Sequence, residues 1–160
     1  MSSPFSDKDF KQAMGQFLTG VTIVSCIKKD GTPYGLTVNS FSSVSLNPRL
    51  VLWSLIKGNS AAQDFADAKS FSIAFLAADQ ADLCQRFASE HQDRFDGVSW
   101  HIGTSGAPII EGALCVLECA PWQQYEGGDH IIHVGEVLSI HNDNSDAKPM
   151  SYFAGKVNDI

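Results

Sequence analysis

Three strand-like runs follow one another in residues 20–56 with no room for a helix between them. GVTIVSCI (20–27) is β-branched, and Lys29-Asp30-Gly31 is a turn with a glycine free to take positive φ. Tyr34 to Phe41 reads as the second strand of a hairpin, Asn47-Pro48 breaks the pattern, and LVLWSLI (50–56) is a third strand. Consecutive strands joined by turns can pair only antiparallel, because a parallel pair needs a crossover of a dozen residues or more. This excludes a doubly wound parallel sheet for the front of the chain. The third run is apolar throughout, which places it in the middle of a sheet.

The same rhythm returns later. FSIAFLA (71–77), Ala113 to Ala120, Trp122 to Glu126 and His130 to Ile140 read as strands, the last two joined by a Gly127-Gly128-Asp129 turn. Helices fit only at the margins. Ser6 and Asp9 form a capping box, Phe5 and Phe10 a hydrophobic staple, and Phe10, Met14, Phe17 and Leu18 share one helical face that should end near Gly20. A short helix can start at Asn59 or Ser60, and another covers about 79–89. The segments HQDRFDGVSW and HNDNSDAKPM are polar and read as loops. Six or seven strands with three marginal helices point to an antiparallel sheet closed into a barrel. The 160 residues are expected to form one domain, 1–160.

Composition narrows the function classes. Net charge is -7, and the only basic cluster is Lys28-Lys29, so a nucleic-acid partner is not expected. No window approaches a membrane span, and MSSPFSDKDF lacks the apolar core of a signal peptide, so the expected compartment is the cytoplasm. Cys26, Cys84, Cys115 and Cys119 have no CxxC spacing and read as thiols. No metal site is expected: His130 and His133 point to opposite faces of one strand. Neither a Rossmann fingerprint, a Walker A motif nor a GxSxG nucleophile elbow is present.

The stretch GLTVNSFSSVSL (35–46) is strand material threaded with small polar side chains. Two readings stay open. Its hydroxyls can line the solvated face of an exposed strand, or they can hold a flat amphipathic cofactor with a phosphate tail. In the second reading Thr37, Asn39 and Ser40 meet the ring, while Ser54, Lys57 and the helix start at Asn59-Ser60-Ala61 meet the phosphate.

AMGQFLTGVTIVS (13–25), YGLTVNSFSSVSLNPRLVLWSL (34–55), RFDGVSW with the following GAPIIEGALCVLEC (94–119), and GGDHIIHVGEV (127–137) occur in that order. In these four segments the chain resembles the flavin reductase family with the FMN-binding split-barrel fold. The resemblance implies a mainly β, antiparallel, Greek-key split barrel with peripheral helices. It implies an NAD(P)H:flavin oxidoreductase that moves hydride from nicotinamide C4 to flavin N5 and hands reduced FMN or FAD to a partner monooxygenase. It implies a homodimer. By the same resemblance Thr37, Val38, Asn39 and Ser40 contact the isoalloxazine and ribityl groups, Ser54 and Leu55 follow from the next strand, Ser60 and Ala61 take the phosphate, and His130 stands by the nicotinamide. An FMN-binding electron carrier or oxidase-like relative, without turnover of free flavin, is the alternative. The chain departs from the family at Pro48-Arg49, where many members have two prolines, and in the tail SYFAGKVNDI. There Lys156 and Val157 replace an Arg and a Tyr, so the choice between NADH and NADPH stays open.

Overall fold

The structure is a computed structural model and describes residues 4–90 and 93–159. The chain opens with helix α1 (Asp7–Met14). The Ser6 hydroxyl accepts the Asp9 N–H at 3.2 Å, the Ser6 N–H donates to Asp9 Oδ2 at 2.9 Å, and the Phe5 and Phe10 rings stack at 6.4 Å. The helix does not reach Gly20, as its apolar spacing predicts. Gly15 caps it, the Ala154 N–H donates to the Gly15 carbonyl at 2.8 Å, and Thr19–Gly20 becomes strand β1 against Tyr152 and Ser151. Backbone pairing with the distant tail overrides the helical period.

The strands that follow are β2 (Thr22–Ile27), β3 (Pro33–Val38), β4 (Ser42–Leu46) and β5 (Arg49–Ile56). Helix α2 (Ala62–Asp67), β6 (Phe71–Phe75), a 3-10 turn and helix α3 (Ala81–Ala88) lead to the short hairpin of β7 (Trp100–Ile102) and β8 (Pro108–Ile110). Long strands β9 (Cys115–Gly127) and β10 (His130–His141) come next, then the tail hairpin of β11 (Met150–Phe153) and β12 (Lys156–Asp159). The expected break at Pro121 is absent: β9 runs through it, with Trp122 bulged out between the Gln123–Val134 and Pro121–Gly135 pairs. The bulge lets one strand carry both predicted runs.

The main sheet has the order β3-β2-β6-β9-β10-β5-β4, antiparallel throughout. Its two edge strands, β3 and β4, are consecutive in the chain and joined by residues 39–41. That link spans at most about 15 Å. The edges of a flat seven-stranded sheet would lie about 29 Å apart. The sheet is therefore rolled into a barrel, and the seam lies at residues 39–41. The Ser40 hydroxyl fastens it, accepting the Ser54 N–H at 2.9 Å and donating to the Ser54 carbonyl at 3.3 Å. Phe41 packs across the seam on Phe75, with ring centroids 4.9 Å apart.

Two apolar clusters lie on the two faces of this sheet, which is why β2 is buried on both sides. One, around Ile23, Leu76 and Phe87, is covered by α3. The other, around Trp53, Phe65, Phe71 and Ile73, fills the barrel and is sealed by α2 through Phe65. Gly135 is required here: a Cβ on it would stand 2.4 Å from Phe71 Cζ. Strand β5 is not central, as its composition predicts, but one strand from the edge. Val51, Trp53 and Leu55 point inward, while its other face is left only partly covered. Among the described residues no helix is long and apolar enough to cross a membrane.

Candidate functional site

A cavity of about 290 Å³ opens on the outer face of the barrel at the seam. Its floor is apolar: Leu36 and Val38 from β3, Leu55 and Ile56 from β5. Its polar wall is Thr37, Asn39, Ser40, Ser54, Asn59 and His130. Strand pairing explains the gathering. His130 sits opposite Ile56 and Ile132 opposite Ser54, so the imidazole and the Ser54 side chain share one face of the β5–β10 pair. The seam then brings Asn39 and Ser40 alongside.

The hydroxyls of the Ser- and Thr-rich stretch are largely occupied by the fold. Thr37 Oγ1 donates to the Cys84 carbonyl of α3 at 2.7 Å, and Ser40 clips the seam. Asn39 is different. It is exposed at the bend after β3, and its amide has no partner among the described residues, so donor and acceptor both face the cavity mouth.

His130 is paired with its neighbour. Its Nδ1 lies 2.7 Å from Asp129 Oδ1, and the hydrogen bond from His130 holds the Asp129 carboxyl below its ordinary value. An ionised carboxylate only accepts, so Nδ1 carries the proton and Nε2 is left for the cavity. The Asp129 carbonyl accepts the Lys57 N–H at 3.0 Å, which ties this turn to the end of β5.

Lys57, Ser60 and Ala61 do not line the cavity. The Lys57 ammonium forms an ion pair with Glu126 on β9. The Ala61 N–H donates to Asn59 Oδ1 at 2.8 Å, and Ser60 faces solvent. The site contains Leu36 and Ile56, which the sequence reading did not assign, Asn59, which that reading gave to the phosphate through the helix start, and Asp129, a partner that the turn alone does not reveal. Strand parity, once β5 and β10 are paired, identifies Ile56. His133, three residues beyond His130, faces the opposite way: it is buried and stacks on Trp53 at 4.5 Å and 12°. Burial alone lowers its pKa.

An apolar floor with a rim of amide, hydroxyl and imidazole groups fits a flat heteroaromatic ring, and at about 290 Å³ the cavity lies at the small end of ligand pockets. The chain matches the flavin reductase like domain over residues 14–160. It is 42% identical over 150 residues to the FMN reductase (NADH) SmoA of Agrobacterium fabrum, covering 94% of this chain and 84% of that protein. It is 42% identical over 130 residues to the reductase component of the flavin-dependent trigonelline monooxygenase of Acinetobacter baylyi, where 81% of this chain matches 42% of the longer relative. Among solved structures, the NADH:FAD oxidoreductase SgcE6 of Streptomyces globisporus, in complex with NAD and FAD fragments, superposes with a TM-score of 0.90 at 37% identity, covering 99% of this chain and 94% of that one. The chain belongs to the flavin reductase-like family, and it is an oxidoreductase of that class.

Proposed function

We propose that the chain uses NADH to reduce FMN in the cavity at the barrel seam and releases the reduced flavin to a monooxygenase. The observation that carries this reading is the convergence of Asn39, Ser54, Asn59 and His130 around an apolar floor in a chain of this family. The choice of FMN and NADH rests on the relative named for both. The monooxygenase partner rests on the relative that serves as a reductase component.

When bound, the flavin supplies the hydride-accepting ring, and the chemistry is that of the two cofactors. The chain supplies orientation. Asn39 offers a donor and an acceptor to the ring edge. Leu36, Val38, Leu55 and Ile56 keep water from its face. Asp129 holds His130 in one tautomer, so that Nε2 accepts from the nicotinamide carboxamide. Thr37 and Ser40 act one step back, fixing the β3 end to α3 and to β5. Ser60, Ala61 and Lys57 are the groups for the phosphate; the Ala61 N–H reaches it by leaving Asn59 Oδ1 and Lys57 by leaving Glu126.

The active form in this reading is a cytoplasmic homodimer. Helix α1 buries none of its residues, and Phe10, Met14, Phe17 and Leu18 stand exposed, Phe17 by 75%. Val44 and Leu46 on the edge strand are exposed as well. A second copy covering these surfaces would also deepen the small open cavity.

The test is NADH oxidation by purified protein with and without added FMN or FAD. Turnover that requires added flavin, faster with FMN than with FAD and with NADH than with NADPH, is the expected result. Bound flavin that does not turn over would overturn the reductase reading in favour of an electron carrier.

A further inference from the structure

A cavity larger than the one at the seam lies elsewhere in the described structure. About 770 Å³ lies between the β2–β3 turn, the far end of α2 and the loop before β8, and it shares no lining residue with the seam cavity. Lys28, Lys29 and Lys69 surround it. These are three of the eleven basic residues in a chain of net charge -7, and none of the three forms an ion pair among the described residues. Nearby carboxylates are mostly engaged elsewhere. Asp30 accepts the Thr32 N–H and hydroxyl at 3.0 and 2.6 Å, and Asp67 accepts the Gln63 amide at 2.9 Å. Asp64 alone remains without a hydrogen-bond partner on this wall.

Ser70 gives the second, independent observation. It is only 8% exposed, it lines the cavity, and its hydroxyl has no hydrogen-bond partner among the described residues. The Ser70 hydroxyl opens into the cleft, where it is a donor and an acceptor for whatever occupies it. The opposite wall is rigid. Ser105 and Gly106 belong to a loop held by the buried Glu118 carboxylate, which accepts the Ser105 N–H at 2.6 Å and the Thr104 N–H at 3.3 Å.

We propose that this cleft is a second ligand site, for a nucleoside phosphate. Ammonium groups outside ion-pair distance of the neighbouring carboxylates among the described residues suit phosphate as point charges. The Asp64 carboxylate, an acceptor, suits the hydroxyls of a ribose, and Ile27 and Ala68 give the apolar wall a base needs. The volume is that of a site for a nucleotide-sized molecule. The shared chemistry can come from a free nucleotide or from the adenylate half of a dinucleotide. The binding does not depend on the reductase reading.

The experiment is calorimetric titration of the whole protein, FMN-saturated and FMN-free, with ADP, pyrophosphate and adenosine in turn. ADP is expected to bind in both states, pyrophosphate more weakly and adenosine not measurably. Lys28→Ala with Lys69→Ala, both at the surface, is expected to weaken ADP by about tenfold or more while leaving FMN affinity unchanged. Displacement of ADP by NADH or FAD would name the dinucleotide as source, and its retention would name the free nucleotide. Absence of ADP heat in both states overturns the proposal. So does ADP affinity equal in the double variant, or ADP binding that vanishes once FMN is bound.

Discussion

At the scale of single residues, the proposed reading gives ring binding to Asn39 and nicotinamide placement to Asp129 acting on His130, and the two can be tested apart. Asn39 has an amide with no protein partner at the cavity mouth, so Asn39→Ala removes contacts that only a ligand can use. FMN should bind about tenfold more weakly, read by quenching of flavin fluorescence, with thermal stability unchanged. An unaltered dissociation constant would remove that amide from the ring's surroundings. Asp129 acts through His130. Asp129→Asn should leave FMN affinity intact and slow reduction by NADH several-fold in stopped flow. It should also replace the single Nδ1–H signature of His130 in nitrogen-15 spectra by a mixture of tautomers. An unchanged spectrum would show that the carboxylate does not set the tautomer.

At the scale of elements, one buried carboxylate holds the β7–β8 hairpin to the barrel. Glu118 on β9 is fully buried and accepts from Ser105, from Thr104 and from His141 Nε2 at 2.7 Å. Gly103 makes room, since a Cβ there would come within 2.6 Å of the carboxylate. Burial by itself would raise this carboxyl; the hydrogen bonds from Ser105, His141 and Thr104 outweigh it and bring the pKa down to about 2. The unfolded chain takes this proton near 4.5, so the contribution is full above that pH and is lost as pH falls from 4.5 toward 2. Glu118→Gln should cost about 2 kcal/mol at neutral pH and flatten this acid limb, as followed by urea unfolding across pH. His133 works in the range above. Burial favours its neutral ring, so the unfolded chain is protonated first, near 6.5, and stability declines as pH drops below that value. His133→Leu should remove that slope; a slope that persists would place its origin elsewhere.

These elements also show what sequence can and cannot reveal. The long strands were legible because runs of apolar and β-branched residues are a local signal, and Asn39, Ser54 and His130, candidates from motifs near strand ends, line the seam cavity. β1, β4, β7, β8, β11 and β12 were not, because strands of two to five residues take their shape from remote partners: Ser42–Leu46 is a strand only against β5, and Thr19 only because Tyr152 lies beside it. The same distance in sequence hides the Lys57–Glu126 pair, which turns the ammonium away from the cavity. Glu118 reads as one more polar residue in a strand until Thr104 and Ser105 are seen around it.

At the scale of the whole molecule, the unburied apolar surface is the dominant fact. Phe10, Met14, Phe17 and Leu18 precede the barrel, and β4 presents Val44 and Leu46, the latter 84% exposed. If the proposed homodimer forms through these surfaces, Phe17→Asp with Leu18→Asp should shift sedimentation from dimer to monomer. A double variant that still sediments as a dimer would place the interface on other surfaces. The edge of β4 adds a further consequence. Its outward backbone groups and its bare leucine and valine form a template on which a foreign strand can grow. If self-association covers that template, dilution and subunit exchange become the moments of risk. Shelf life at low concentration, more than melting temperature, would then set how long a preparation stays clear.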